Sequence, residues 1–421
     1  MELSQDGCYM NYKVKRFSAL FLLTVAGLAV LSACGKTRPY TDVSRYAAPP
    51  EPSSAVSMPD FSSYRKQVSF LGCGDNIIYK GTVKEAAANA EKGGREYNFK
   101  PMFEKVAERI ESADIAFINQ ETVMAGEGYE LSYYPMFNSP QDVGYDLKEL
   151  GFDVVGIANN HMLDKGAKGL EKTIAFWKSM EGVLLIGGYD DQEDYDTVRV
   201  LETGGIKIAF LAYTYGTNGL TKAASSSVVI PYINDDDIRR QVAAAKKAAD
   251  MVIVSAHWGD EGSFKPNTSQ KRTAQLFADC GVTAVIGHHP HVIQPVEWIT
   301  GKDGNKMLCV YSLGNFAAEQ AYDYNMVGGM ISFDIVQIAG GEPYLENVLF
   351  TPTVYHFNTR FTSNRIYPMD EYTKELAAVH GVRTYYKHTL DYDRLLKYAF
   401  DTIDAEFLPD SLKEVDNNDA A

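Results

Sequence analysis

Positive charge is in short supply in this chain. Lysine and arginine number 40 against 55 aspartates and glutamates, a formal net charge of -15. Such a surface repels nucleic acid unless a local basic patch inverts the field, so no nucleic-acid partner is expected. The same charge disfavours unaided binding of an anionic polymer. A metal, or a local cluster of Lys and Arg, would have to supply the positive field. Cysteine is also sparse, with five in 421 residues at positions 8, 34, 73, 280 and 309. Only three lie in the body of the chain, which allows at most one disulfide. Cys73 and Cys309 sit in or beside apolar runs and read as small buried hydrophobes. No Gly-x-x-x-x-Gly-Lys-Ser/Thr stretch occurs, which excludes an ATP-using component of the P-loop type. The apolar stretch 17–31 is too short to span a bilayer comfortably, since about 20 residues are needed. What is present is an ordinary folding composition, 45% hydrophobic and 23% charged, with length enough for a large core.

The N-terminus carries the parts of an export signal. Lys13, Lys15 and Arg16 precede the apolar stretch, and small residues close it. Its end, Leu31-Ser32-Ala33-Cys34-Gly35, resembles the lipobox of bacterial lipoproteins. That resemblance implies a signal over 1–33, lipidation at Cys34, and an exported protein anchored to the outer face of the cell membrane. Residues 34–64 are rich in Pro, Ser, Ala and Thr without apolar periodicity, and read as a flexible stalk. The globular domain is expected over 65–360. Beyond it, 361–421 reads as an appendage of two helices and an acidic tail.

Within the domain, apolar runs alternate with amphipathic stretches. Strands are expected at 68–72, 114–118, 152–158, 183–186, 251–255 and 282–286, with helices at 101–112, 140–150, 169–180, 236–249 and 269–280. A hairpin is expected to turn at Gly204-Gly205, and strands dominate from 292 to 357. The fold class is α/β with mixed sheets, two of them stacked.

Six polar clusters each follow directly on a strand: Gly74-Asp75-Asn76, Asn119-Gln120-Glu121-Thr122, Asn159-Asn160-His161, His257-Trp258-Gly259-Asp260-Glu261, Gly287-His288-His289-Pro290-His291 and Ser312-Leu313-Gly314-Asn315-Phe316. Ligands of open α/β sheets bind at the carboxyl ends of strands, so these clusters should converge on one rim. Five of the eight histidines fall in them. Carboxylate oxygen mixed with imidazole nitrogen suits a divalent ion such as Mn, Fe, Zn or Ca rather than copper(I). Side-chain alternation in a strand would put His289 and His291 on one side. Asp164 reads either as a partner that orients His161 or as a loop-to-helix cap before Gly166. Trp258 reads equally as a pocket wall or as packing.

In order and spacing, this series resembles the CapA/PgsA family of poly-γ-glutamate capsule systems over residues 68–355. The loop Tyr213-Thr214-Tyr215-Gly216-Thr217-Asn218-Gly219 resembles it too. The resemblance implies a four-layer metallophosphoesterase-like sandwich of the calcineurin type. On that scaffold Asp75, Glu121, Asn160, His257, His289 and His291 would be metal ligands. His161 would act as an acid or touch phosphoryl oxygens, and Glu261 as a general acid or base. Asn159, His288, Ser312 and Asn315 are candidate substrate contacts, with Gly314-Asn315 reading equally as an anion-binding turn or a plain strand-ending one. By residue type Arg272 is a candidate carboxylate or phosphate clamp, or a solvated residue at a helix start. Two departures stand out: the usual Asp-x-His is Asp75-Asn76-Ile77, and the bridging Asp is Glu121. The expected ion, Mn, Fe or Zn, is therefore left at one or two equivalents, or none. The implied role is a capsule accessory working beside small membrane subunits of a synthase and an anionic polymer. The alternatives are a secreted metal-dependent hydrolase of phosphoesters or γ-glutamyl amides, and a non-catalytic polyanion-binding module.

Overall fold

The protein is described by a computed structural model covering residues 9–12 and 64–412. Cys34, the stalk up to residue 63, the acidic end and the expected signal apart from Tyr9–Tyr12 lie outside the described residues. In chain order the strands are β1 (Tyr9–Tyr12), β2 (Arg65–Asn76), β3 (Ile115–Gln120), β4 (Val154–Gly156), β5 (Leu184–Ile186), β6 (Val198–Thr203), β7 (Ile206–Thr214) and β8 (Met251–His257). They continue with β9 (Ala284–His288), β10 (Ile293–Thr300), β11 (Lys306–Leu313), β12 (Asn315–Ala317), β13 (Val327–Ile338), β14 (Tyr344–His356) and β15 (Arg365–Pro368). One sheet runs β1-β6-β7-β8-β9-β11-β10; the other runs β15-β14-β13-β2-β3-β4-β5, with β12 added to β2. Both are mixed: β2 to β5 are mutually parallel, as are β7, β8, β9 and β11, while the hairpin strands run antiparallel. Helices flank the two stacked sheets.

Alternation along β8 and β9 explains the layering. Val252, Val254, Ala256 and Val285 face outward onto Ile238, Val242, Ala245, Ala274 and Phe277. Those residues belong to the helices Asp235–Ala248 and Thr268–Cys280. Met251, Ile253, Ala284 and Ile286 face inward to the core shared with the other sheet. Each fully buried Val, Ile or Met among them contributes about 2 kcal/mol. His257 and His288 continue the inward parity, so both end between the sheets at their carboxyl edge. On the other sheet's outer side pack the helices Asp142–Glu149 and Gly166–Lys178, through Val143, Leu147, Ile174 and Trp177. Gly74 and Gly314 let two backbones cross: the Asp75 N–H donates to the Gly314 carbonyl at 2.9 Å, and a Cβ at 74 would collide with that oxygen.

Several expectations change on inspection. The expected helix over 101–112 is two short ones, Lys100–Phe103 and Ala107–Ser112. Between them Val106 N–H bonds Phe103 O at 2.9 Å, a tighter turn that interrupts the helix yet keeps Phe103, Val106 and Ile110 buried. The helix Lys80–Ala88 was not foreseen. The segment after 360 is tied into the main body rather than appended to it. Its strand β15 extends the second sheet, and Leu390, Leu395, Ala399 and Phe407 join the main core. Instead of two helices it forms Lys374–Val379, Gly381–Thr384 and Tyr392–Thr402, because Thr373, His380 and Asp391 each cap a new start. Cys73, Cys280 and Cys309 are free thiols, the first and last buried. No helix among the described residues is long and apolar enough to cross a membrane.

Candidate metal centre

The strand ends converge on one buried acid, Glu121. It follows β3 and is fully buried, and neither carboxylate oxygen has a hydrogen-bond partner. Three imidazole nitrogens surround Oε1: Nε2 of His291 at 3.7 Å, of His257 at 3.8 Å and of His161 at 4.0 Å. These separations are too long for hydrogen bonds. They match ligands sharing one ion, since two atoms each about 2.1 Å from a cation stand about 3.0–4.2 Å apart. Asp75, Glu121 and His291 form one such cluster, and Glu261, His289 and His291 a second. Further ligand-type atoms are left open: His257 Nδ1, His288 Nε2 and His289 Nδ1 are buried without partners. Buried polar atoms are normally satisfied, so this concentration of exceptions fits a divalent cation.

Asp75 is held from several sides. Its Oδ1 accepts from Asn119 Nδ2 at 2.8 Å and His288 Nδ1 at 3.0 Å, and its Oδ2 from the His289 N–H at 3.1 Å. Asn160 Oδ1 lies 3.0 Å from His257 Nε2, while its amide nitrogen donates to Asn218 Oδ1 at 3.2 Å. His161 Nδ1 donates to Asp164 Oδ2 at 2.8 Å, which turns its Nε2 toward Glu121. Asp164 thus orients the ring, and the Phe137 N–H donates to the same oxygen.

The electrostatics follow from burial. Burial works against the Asp75 carboxylate, but hydrogen bonds from His288 and His291 overcome it and hold the acid well below its usual range. Glu121 goes the other way, pushed well up by burial and by the charge of Asp75. Burial and the neighbouring His291 lower His289 to about 3. His257 also falls well below the usual histidine value, through burial and His289. For His291, burial is outweighed by Glu121 and Asp75, which raise it to about 9.

The expected residues separate into those at the centre and those outside it. Asp75, Glu121, Asn160, His161, His257, His289 and His291 are brought together, with exposed Glu261 at the rim. Strand alternation is not what aligns His289 and His291. β9 ends at His288, and the two rings, 5.8 Å apart, are aimed by left-handed backbone at φ 98° and 55°. Such strain in non-glycine residues is typical of functional sites. Four of the expected substrate contacts have structural partners instead. Asn159 binds the Gln120 carbonyl and the His161 N–H. The Ser312 hydroxyl donates to Val292 O and accepts from Gly314 N–H, fastening a turn. Asn315 Oδ1 accepts from His291 Nδ1 at 3.0 Å, and His288 is fully buried against Asp75. Arg272 is not at the site: it is exposed on the outer helix Thr268–Cys280 and pairs with Asp235 at 2.8 Å. Trp258 is packing, buried between Phe277 and Tyr311 with its indole N–H on Tyr311 O. The place of the missing Asp-x-His histidine goes to Ile77, in a small apolar cluster with Phe137 and Ala318.

Sequence reasoning assigned no role to Asn119, Tyr215, Asn218, Gln320 or Asn325. The Tyr215 ring sits 4.5 Å from that of His289 and parallel to His257 at 6.4 Å. Asn119, Tyr215 and Asn218 lie inside stretches already singled out by pattern. Gln320 and Asn325 follow no motif.

The stretch that carries this site matches a known family. The family described as "Bacterial capsule synthesis protein PGA_cap" matches residues 69–320. The PGA biosynthesis protein CapA of Bacillus subtilis is 29% identical over 190 residues, 45% of this chain and 48% of that one. The capsule biosynthesis protein CapA of Bacillus anthracis is 31% identical over 193 residues, 45% and 46% of the two chains. The aligned part thus spans about half the length of these relatives. A solved structure with similar layering is the calcineurin-like phosphoesterase YfkN from Bacillus subtilis. It has TM-score 0.40 and 12% identity, covering 68% of this chain and 90% of that one, an overlap too loose to carry chemistry. On the match over 69–320, which includes Asp75, Glu121 and all five site histidines, the chain belongs to the bacterial capsule synthesis protein PGA_cap family.

Proposed function

We propose that this protein is a lipid-anchored, exported accessory of poly-γ-glutamate capsule synthesis or export, with a divalent ion at the Glu121 centre. The observation that carries the metal reading is the buried, unpartnered carboxylate of Glu121 among three imidazole nitrogens at 3.7–4.0 Å. Asp75, Glu121, Asn160, His257, His289 and His291 would hold the ion, Mn, Fe or Zn by donor type. A bound ion also answers the charge problem, because it gives a chain of net charge -15 a local positive centre for an anionic polymer. Export and anchoring at Cys34 are supported by the lipobox-like Leu31-Ser32-Ala33-Cys34-Gly35. Cleavage before Cys34 would remove β1 and leave β6 as the sheet edge. Small membrane subunits of the synthase are the partners this role calls for.

A hydrolytic activity on a phosphoester or γ-glutamyl amide is the second reading, favoured by His161 and Glu261 beside the centre. Such an ion supplies Lewis acidity and water activation near neutral pH. The His161 ring, fixed by Asp164, presents Nε2 inward to hand over or take up a proton. Glu261, exposed at the rim, is placed to do the same on the solvent side.

Elemental analysis of protein purified without chelator tests the reading, beside a His289→Ala/His291→Ala variant. About one or two equivalents of Mn, Fe or Zn, lost in the variant, are expected. A folded, metal-free wild type would sink the metal and hydrolase readings together. A scaffold role would then remain.

A further inference from the structure

The residues matched by the family end at 320, yet the site does not. His291 Nδ1 donates to Asn315 Oδ1 at 3.0 Å. Asn315 Nδ2 in turn reaches Gln320 Oε1 and the Asn325 carbonyl, each at 3.0 Å. Asn325 Nδ2 returns to the His291 carbonyl at 3.0 Å. One loop, 319–325, therefore fixes the ring and backbone of a residue at the centre of the cluster.

The loop's other side is gripped by the C-terminal segment. The Tyr386 hydroxyl donates to Glu319 O at 2.9 Å, and His388 Nδ1 to Ala321 O at 2.9 Å. The Tyr322 ring stacks on His388 at 4.8 Å. Asp323, buried, accepts from Arg394 Nε at 2.7 Å and from the Tyr398 hydroxyl at 3.2 Å. The division is regular: 319, 321, 322 and 323 bind the C-terminal segment, while 320 and 325 bind the site. Tyr398 also stacks on Phe264 at 5.3 Å, in the loop that follows rim residue Glu261. The helix Tyr392–Thr402 thus bridges both loops that flank the centre.

We propose that Tyr386, His388, Arg394 and Tyr398 are positioning residues of the metal centre, acting through the 319–325 loop on His291. The C-terminal segment then completes the site rather than merely covering the sheet. The inference rests on the metal reading above. A ring held by outer partners binds metal more tightly because it needs no ordering when the ion arrives, and losing such partners typically weakens affinity 10- to 100-fold.

The test uses the full chain, stripped of metal and titrated with Co(II), whose visible absorption reports ligand geometry. Arg394→Ala should raise the Kd by up to about 10-fold, the low end of that range because it acts through the loop, and alter the absorption, with partial rescue in Arg394→Lys. Thr373→Ala is the control, since it removes a helix cap in the same segment away from the loop and should leave both readouts alone. If Arg394→Ala does not fold, Tyr386→Phe and Arg394→Lys carry the comparison. Unchanged affinity and spectrum in folded Arg394→Ala and Tyr386→Phe overturn the proposal. Should the wild type take up no cobalt, the metal reading fails and amide exchange decides the positioning claim. Faster exchange at 289–292 and 315–320 in Arg394→Ala than in Thr373→Ala upholds it, and equal exchange overturns it.

Discussion

The histidines form two populations, and the contrast between them separates function from structure. Five lie in the cluster built on Asp75 and Glu121. Three lie in the last quarter of the chain, at 356, 380 and 388. Both groups include deeply buried rings of depressed basicity: burial and His291 take His289 to about 3, and burial and His356 take His380 to about 3. A low pKa therefore does not mark the site. What differs is valence. His380 accepts the Val382 N–H at Nδ1 and donates to Tyr355 O at Nε2, both at 3.0 Å, so the neutral ring is saturated. His257, His288 and His289 each keep a buried nitrogen with no partner. A saturated ring belongs to the fold, and an open one awaits a ligand.

Opposite stability effects would sharpen this contrast most. His380→Leu should lower unfolding stability by about 2–4 kcal/mol, because it strands the Val382 N–H and the Tyr355 carbonyl in the core. Glu121→Met keeps the length of the side chain and removes two buried oxygens that nothing satisfies. It should raise the stability of the metal-free protein by about 1–2 kcal/mol while abolishing metal uptake. Urea unfolding in the presence of chelator measures both. A loss in both variants would erase the distinction between the two groups.

A pH series on paired variants probes the rings outside the centre. Burial lowers His356 to about 4, and its Nδ1 meets the Tyr372 hydroxyl at 2.9 Å. For His356 and His380 the folded pKa lies below the unfolded value of about 6.5, so the unfolded chain takes up the proton first. Their contribution is fully present above about pH 6.5 and is lost as pH falls toward 4 and 3. By pH 5.5 each should have cost about 1.4 kcal/mol. His380→Gln should reduce the stability lost between pH 6.5 and 5.5 by about 1 kcal/mol. An unchanged slope would mean that this ring titrates alike in both states.

How much of this was legible in the sequence depends on what each signal encodes. The strands and their polar ends were readable, because alternation and sequence-local clusters are one-dimensional patterns. Asp75, Glu121, His257 and His291 could be found for that reason. The aim of the His289-Pro290-His291 turn was not readable, since positive φ in two histidines is imposed by surrounding structure. Neither were the supporting partners. Gln320, Asn325 and Arg394 act across 5, 34 and 71 residues of separation, through contacts that leave no periodic trace. The segment after 360 misled for a related reason: helical periodicity is visible there, but β15 is four residues long and is defined by its neighbour β14.

Arg272 supplies the smallest effect and a check on the reading by type. An arginine just after a cluster of site residues looks like an anion clamp, yet its guanidinium lies on the outer helix, about half exposed and paired with Asp235 at 2.8 Å. Surface pairs of this kind contribute at most about 1 kcal/mol, and usually less. Arg272→Ala should therefore change unfolding stability by less than about 0.5 kcal/mol and leave metal uptake and polymer binding as in the wild type. The two histidine groups should be inert to it, because Arg272 and Asp235 pair with each other on the outer helices, away from both. A loss of polymer binding in this variant, with metal retained, would place an anion-binding surface on the outer face of the Thr268–Cys280 helix. That would move recognition away from the Glu121 rim.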